Sequence, residues 1–159
     1  HLTTRRQRQM CIRDRYHGRS WIPILSDTDI TIHDVHFASH TFHEIQMYYP
    51  MRAIRDHDWK LIWNIAHPLP YPFASDLWVA SSWQAQYRQS LNAPYGTKTV
   101  EEYIYRPRFE LYHIAEDPEE TMNLADDPNQ AKVLLRYKEK LKSMQRKFSD
   151  PWITKWNYE

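Results

Sequence analysis

The residues from Met51 to Ile65 leave few options for this chain. Trp59, Leu61, Trp63 and Ile65 alternate with Lys60, Ile62 and Asn64. That period of two puts successive side chains on opposite faces of a half-buried strand. A shorter strand, Met51 to Arg55, stands before it. Asp56, His57 and Asp58 between them make the turn of a β-hairpin, because Asp tolerates tight backbone geometry and bonds its own main chain. Pro50 has no N–H, so it suits the start of the first strand or a sheet edge. Upstream, Phe42 to Tyr49 carries no such alternation. His43 and Glu44 stand there, two polar residues just ahead of a rigid hairpin.

A third strand is expected at Phe109 to Ile114, with Phe109, Leu111 and His113 on one face and Glu110, Tyr112 and Ile114 on the other. A helix is expected from about Pro128 to Phe148. Asp127 is a good N-cap, and Pro128 suits the first helical position. Ala131, Leu134, Leu135, Leu141, Met144 and Phe148 recur at helical spacing, and the helix stops before Ser149, Asp150 and Pro151. Burying that stripe on the sheet stabilises by ~1.5 kcal/mol or more per large side chain. Between sheet and helix, Asn64 to Pro107 reads as a long irregular segment broken by Pro68, Pro70 and Pro72. It has room for a short helix after Ser75 or Asp76, ended by Pro94 and Gly96, and for a helical turn capped by Thr99. Val35 to Ser39 reads as a buried strand. The fold class is therefore α+β, a small antiparallel sheet packed by a long C-terminal helix.

Composition narrows the chemistry. A net charge of +1 over 159 residues predicts no strong attraction to polyanions, nucleic acid included. Two glycines exclude a glycine-rich phosphate loop. A single cysteine excludes an internal disulfide and a cysteine zinc cage. No apolar run is long enough to span a bilayer. Seven Trp and eleven Tyr supply either an aromatic core or a sugar-stacking surface. His33, His36, His40 and His43 crowd one stretch, but their spacings of three, four and three are not diagnostic of a metal site outside a helix. Arg52 and Arg55 look like anion binders; on a hairpin, pairing with carboxylates such as Glu110 is the expectation. Residues 1–16, with the run RRQRQMCIRDR, are Arg-rich and nearly devoid of core residues. They read as a non-native or disordered extension resembling adaptor read-through, the functional alternative being a basic arm for nucleic acid or anionic lipid.

Several stretches in order carry a resemblance: SHTFHEIQMYYPMRAIR, then LPYPFASDLW, YRPRFELYHIAEDPEETMNLADDP and SDPW. Together they resemble the C-terminal segment of the sulfatases, in particular the heparan N-sulfatase (sulfamidase) group, over roughly His17 to Trp156. The resemblance implies three parts: the extension at 1–16, the tail of an α/β catalytic domain at 17–50, and a C-terminal subdomain at 51–159. It implies hydrolysis of sulfate or sulfamate groups on sulfated sugars of the heparan type. The reaction would use a formylglycine nucleophile and calcium, both supplied upstream and neither bound by this part of the chain. Sulfatases mature a Cys or Ser in a C-x-P-x-R context. Cys11 is followed by Ile12, Arg13, Asp14 and Arg15, with Arg13 in place of the proline, and in the family the motif lies far upstream. Cys11 is thus rejected as the nucleophile, and no catalytic or metal-binding residue is expected here.

The residues that match a pocket position are His43 and Glu44, the family's His-Glu pair before the PMR strand. A carboxylate accepts from sugar hydroxyls, and an imidazole donates to a hydroxyl or an anionic oxygen. The other reading is that the pair fixes a domain junction. The implied partners are a sulfated sugar and the catalytic domain of the same chain, with neither nucleic acid nor membrane, and a homodimer is left open. The implied compartment is lysosomal, periplasmic or extracellular. The alternative from another class is a free-standing, aromatic-rich carbohydrate-binding module.

Overall fold

The computed structural model describes Ile22, Leu25, residues 34–44 and residues 47–158. Residues 1–16 with Cys11, the turn residues Asp27 and Asp29, and His33 lie outside the described residues. The chain divides between His33 and Asp34 into two units. The C-terminal unit holds every strand among the described residues. In order it forms β1 (His36–His43), β2 (Met47–Arg55), β3 (Trp59–Asn64), α1 (Ser75–Val79), α2 (Ser81–Tyr87), β4 (Pro94–Tyr95), β5 (Lys98–Thr99), α3 (Val100–Ile104), β6 (Phe109–His113) and α4 (Ala131–Lys147) among the described residues. Short 3-10 segments at Pro128–Gln130 and Pro151–Tyr158 flank α4. The α+β class holds: β1, β2, β3 and β6 make one antiparallel sheet in that spatial order, and α4 packs on one face.

The hairpin forms where the alternation places it. Asp56 Oδ1 accepts from the backbone N–H of Asp58 and Trp59 and closes the turn. Register pairs Ile54 with Leu61 and Leu61 with Leu111, so the three buried side chains line up across the sheet. Three expectations shift. First, β2 starts at Met47, which leaves Pro50 inside a strand with neighbours on both sides. It is tolerated because the β1–β2 register shifts between His40 and Phe42. The Pro50 carbonyl accepts from Ile65 and Ala66 instead. Second, β1 is longer than the expected Val35–Ser39 strand and is not buried. It is an edge strand, largely exposed or half-buried. Third, the boundary expected at 50/51 lies within β2.

Helix α4 docks on the face carrying Ile54, Leu61, Trp63 and Leu111. The expected cap at Asp127 starts a 3-10 turn, Pro128–Gln130, that leads into α4 at Ala131. Asp127 accepts from Asn129 N–H. At the far end Ser149 takes a φ of 52°, Ser149 N–H reaches the Arg146 carbonyl and Asp150 N–H reaches Gln145. These two bonds form a Schellman motif with Ser where Gly is usual. The buried stripe is rotated from the expected one. Tyr137, Leu141 and Gln145 are buried, Leu134 and Met144 pack at the margin, and Ala131 and Leu135 are exposed. Leu135 lies two residues, about 200° of turn, from Tyr137. Tyr137 wins the inward position because its hydroxyl donates to Asp56 Oδ2, which also accepts from Lys140 Nζ. Beyond α4, Trp156 folds back to stack on Trp63 at a 4.0 Å centroid distance and donates to Gln145. Much of the aromatic content is core packing: Trp63 and Trp83 are fully buried.

The second sheet face is covered too. β3 and β6 are hydrogen-bonded neighbours, yet 44 residues run between them, an excursion with its own core of Trp83, Ala93, Val100 and Ile104. Two short helices, α1 and α2, stand where one was expected, parted at Ala80. Thr99 caps α3 in a reciprocal capping box with Glu102. Beneath the excursion, Glu110 and Tyr112 are buried, so β6 is covered on both faces. Burial would raise the Glu110 carboxyl. Bonds from Tyr112 and Asn64 and the nearby Lys98 outweigh it and hold the group below its ordinary range. The segment after β6 is structural, as its turn-rich sequence suggests. Asn123 accepts from Leu111 N–H and donates to the Phe109 carbonyl, and so covers the open edge of β6.

Candidate functional site

His43 and Glu44 sit at the tip of the β1–β2 hairpin. His43 is the last residue of β1, and its register partner is Met47, the first residue of β2. Glu44 begins the turn with φ 58°, the left-handed region, and its carbonyl faces Met47 N–H at 3.4 Å. Both side chains are exposed. The pair thus stands on a tight turn held between two strands. Of the four histidines in this stretch, His36, His40 and His43 are described. His40 is half-buried, with Nδ1 3.0 Å from the Tyr49 carbonyl, and His36 stands near the other end of β1. Among the described residues, no group of three or more His, Cys, Asp or Glu side chains is placed to hold a metal. The residues described therefore do not fit a calcium site.

Behind the turn lies a feature that the sequence pattern did not disclose. Met47, Pro70, Tyr71, Pro72, Phe73, Trp78, Tyr87 and Tyr105 line a groove of about 500 Å³. Its size and lining suit a small ligand. Tyr71 is held by two neighbours: Tyr49 meets it edge-on at 5.0 Å, and the Arg106 guanidinium lies 3.6 Å from its ring centre. Burial pushes the Tyr49 phenol up to about 12. Met47 joins the two features, since it lines the groove and pairs with His43. The signal was present as aromatics scattered through 71–105. Their convergence was not, because it depends on how α1, α2 and α3 fold over one another.

The two arginines take separate roles, and Glu110 is the partner of neither. Arg52 is buried on the α4 side of the sheet and grips Asp150 through Nε and Nη2 at 2.6 and 2.9 Å. Arg55 ends β2 on the other face, exposed, and borders a shallow hollow with Asp34, His36, Asp56 and His57. Glu110 faces away from Arg52 because the register sets Arg52 opposite Trp63 and Trp63 opposite Phe109, so Glu110, the next residue along β6, lies on the other face. Burial would raise the Asp150 carboxyl; bonds from Arg52, Gln145 and the Trp152 N–H outweigh it and hold it low.

No family model matches the sequence. Human N-sulphoglucosamine sulphohydrolase is 35% identical over 140 residues, covering 86% of this chain and 27% of that protein. Among solved structures, a 2-O GAG sulfatase superposes with a TM-score of 0.55 at 17% identity, over 87% of this chain and 22% of its own. A protein of Bacteroides thetaiotaomicron described as a sulfatase gives 0.54 at 18%, with the same coverage. The chain spans roughly a quarter of the length of the proteins it matches. The enzyme matched at this identity is what the SHTFHEIQMYYPMRAIR-to-SDPW series resembles, and the two structures share the fold of the sheet and helix. The chain belongs to the sulfatase family and corresponds to the C-terminal part of its N-sulphoglucosamine sulphohydrolase-like members.

Proposed function

We propose that this chain supplies the C-terminal part of a sulfatase that hydrolyses sulfate or sulfamate groups of sulfated sugars, most like N-sulphoglucosamine sulphohydrolase acting on heparan-type glycans. The observation that carries the reading is the 35% identity to the human enzyme along 86% of the chain. It disfavours a free-standing carbohydrate-binding module, for the matched stretch is 27% of an enzyme. In this reading residues 17–50, which include β1 and the start of β2, are the tail of the catalytic domain and residues 51–159 the C-terminal subdomain, so the two parts share one sheet. Family members use calcium and a formylglycine, which supply the nucleophile and the charge stabilisation for sulfuryl transfer. Both belong to the part upstream, and the described residues here have no group that fits the metal.

The contribution of this chain is the wall of the substrate pocket. Glu44 accepts from a sugar hydroxyl and His43 donates to a hydroxyl or an anionic oxygen. The exposed position of both at the tip of the β1–β2 hairpin, beside an aromatic groove, supports that role. The relationship also points to a lysosomal, periplasmic or extracellular enzyme. No helix among the described residues is long and apolar enough to cross a membrane.

Glu44→Gln in the complete enzyme tests the reading. A charge-assisted hydrogen bond contributes about 1.5–3 kcal/mol, so kcat/KM on the sulfated sugar should fall roughly ten- to a hundred-fold. A small aryl sulfate lacks that hydroxyl and should be turned over almost as before. Equal losses on both substrates with a lowered Tm would assign Glu44 to the scaffold.

A further inference from the structure

We infer that the Arg52–Asp150 ion pair is the positioning device of the His43–Glu44 turn, an inference that rests on the proposed role of that turn. Arg52 spends its guanidinium on two tasks. Nε and Nη2 hold both oxygens of Asp150, and Nη1 donates to the His40 carbonyl at 2.7 Å and the Met51 carbonyl at 2.8 Å. His40 is the last β1 residue in register before the ladder shifts; pairing resumes at Phe42 with Tyr48. In that gap Thr41 stands opposite both Tyr49 and Pro50, and Pro50 has no N–H to offer. Arg52 therefore supplies a donor to β1 where the ladder is weakest, three residues before His43. A bulge re-aims the strand beyond it, and its geometry depends on what holds it.

The acceptor is itself immobilised. Asp150 is set by the Schellman end of α4 and takes further bonds from Gln145 Nε2 at 2.9 Å and Trp152 N–H. Gln145 is in turn fixed by Trp156 Nε1 at 2.7 Å. Arg52 and Asp150 are 4% and 6% exposed, so water does not compete with the pair. A path of side-chain bonds thus runs from the C-terminal segment through Arg52 to the bulge that aims the hairpin tip.

Asp150→Asn tests this. It keeps the shape but removes the charge and turns one of the two accepting oxygens into a donor, so the guanidinium loses its two-oxygen partner. Hydrogen exchange on the chain should speed up at least about tenfold at Phe42, His43, Glu44 and Met47, with Leu61 and Leu111 in the core little changed. Tyr137→Phe, which loosens α4 elsewhere, is the matched control and should show no selective effect there. In the complete enzyme Asp150→Asn should raise KM for the sulfated sugar while kcat on an aryl sulfate is kept. Exchange that rises uniformly overturns the inference. If Asp150→Asn does not fold, Arg52→Lys, which keeps a cation but cannot span Asp150 and His40, is read the same way. Failure of both to fold makes the pair a general scaffold element and also overturns it. Equal loss of Glu44→Gln on both substrates would sink the functional reading alone, since the exchange result still decides the coupling.

Discussion

Removing one hydroxyl should expose how α4 is locked to the β2–β3 turn. In Tyr137→Phe the ring stays in its buried position and only the bond to Asp56 Oδ2 is lost. Asp56 keeps Lys140 at 2.9 Å and the N–H groups of Asp58 and Trp59. Burial alone would raise the Asp56 carboxyl. The bonds from Tyr137, Lys140 and Trp59 more than offset it, and the group falls from 3.8 to about 2. That shift, near two pH units, corresponds to about 2 kcal/mol of linked stability. The sign follows from the depressed value. The contribution is complete above pH 3.8, the ordinary carboxylate value, and is lost as pH falls through about 2. The phenol itself is pushed up by burial and by the carboxylate, so it stays protonated throughout. One charge-assisted bond of several should therefore cost about 1–2 kcal/mol at pH 7. Urea unfolding at about pH 7 and about pH 2.5 measures it. The loss should shrink by roughly a third to a half at the lower pH, where the carboxylate is partly protonated. An equal loss at both would mean that the hydroxyl acts by packing rather than through charge.

The packing makes further outcomes testable. Leu141→Asp puts a charge into the fully buried helix–sheet core and should cost several kcal/mol, whereas Leu135→Asp, at a side chain 62% exposed, should stay within about 0.5 kcal/mol in thermal unfolding. Trp83→Ala empties the centre of the 65–108 excursion and should cost about 3–5 kcal/mol. Near-ultraviolet circular dichroism should show the aromatic groove lost while α4 keeps its far-ultraviolet signal; a simultaneous collapse of both would show that the two cores fold as one.

Much of the frame was legible because it rests on local physics. The alternation from Trp59 to Ile65 reports a strand wherever it is placed, and Asp56 closes its turn with its own side chain. Thr99 and Asp127 cap helices through neighbours two or three residues away. The start of β2 was not legible, since the bulge at Thr41 breaks the match of β1 to β2 and Pro50 interrupts the strand pattern. Leu134 and Leu135 look alike in one dimension; only docking, with Tyr137 drawn to Asp56, decides which of them meets the sheet. The partner of Arg52 lies 98 residues away, and the groove gathers Met47 with residues from 70 to 105. By itself the sequence determined the main elements, the caps and the family. Only tertiary structure decided which charges meet and which aromatics converge, because a buried ion pair and a groove are contacts between segments whose separation along the chain carries no periodicity to read.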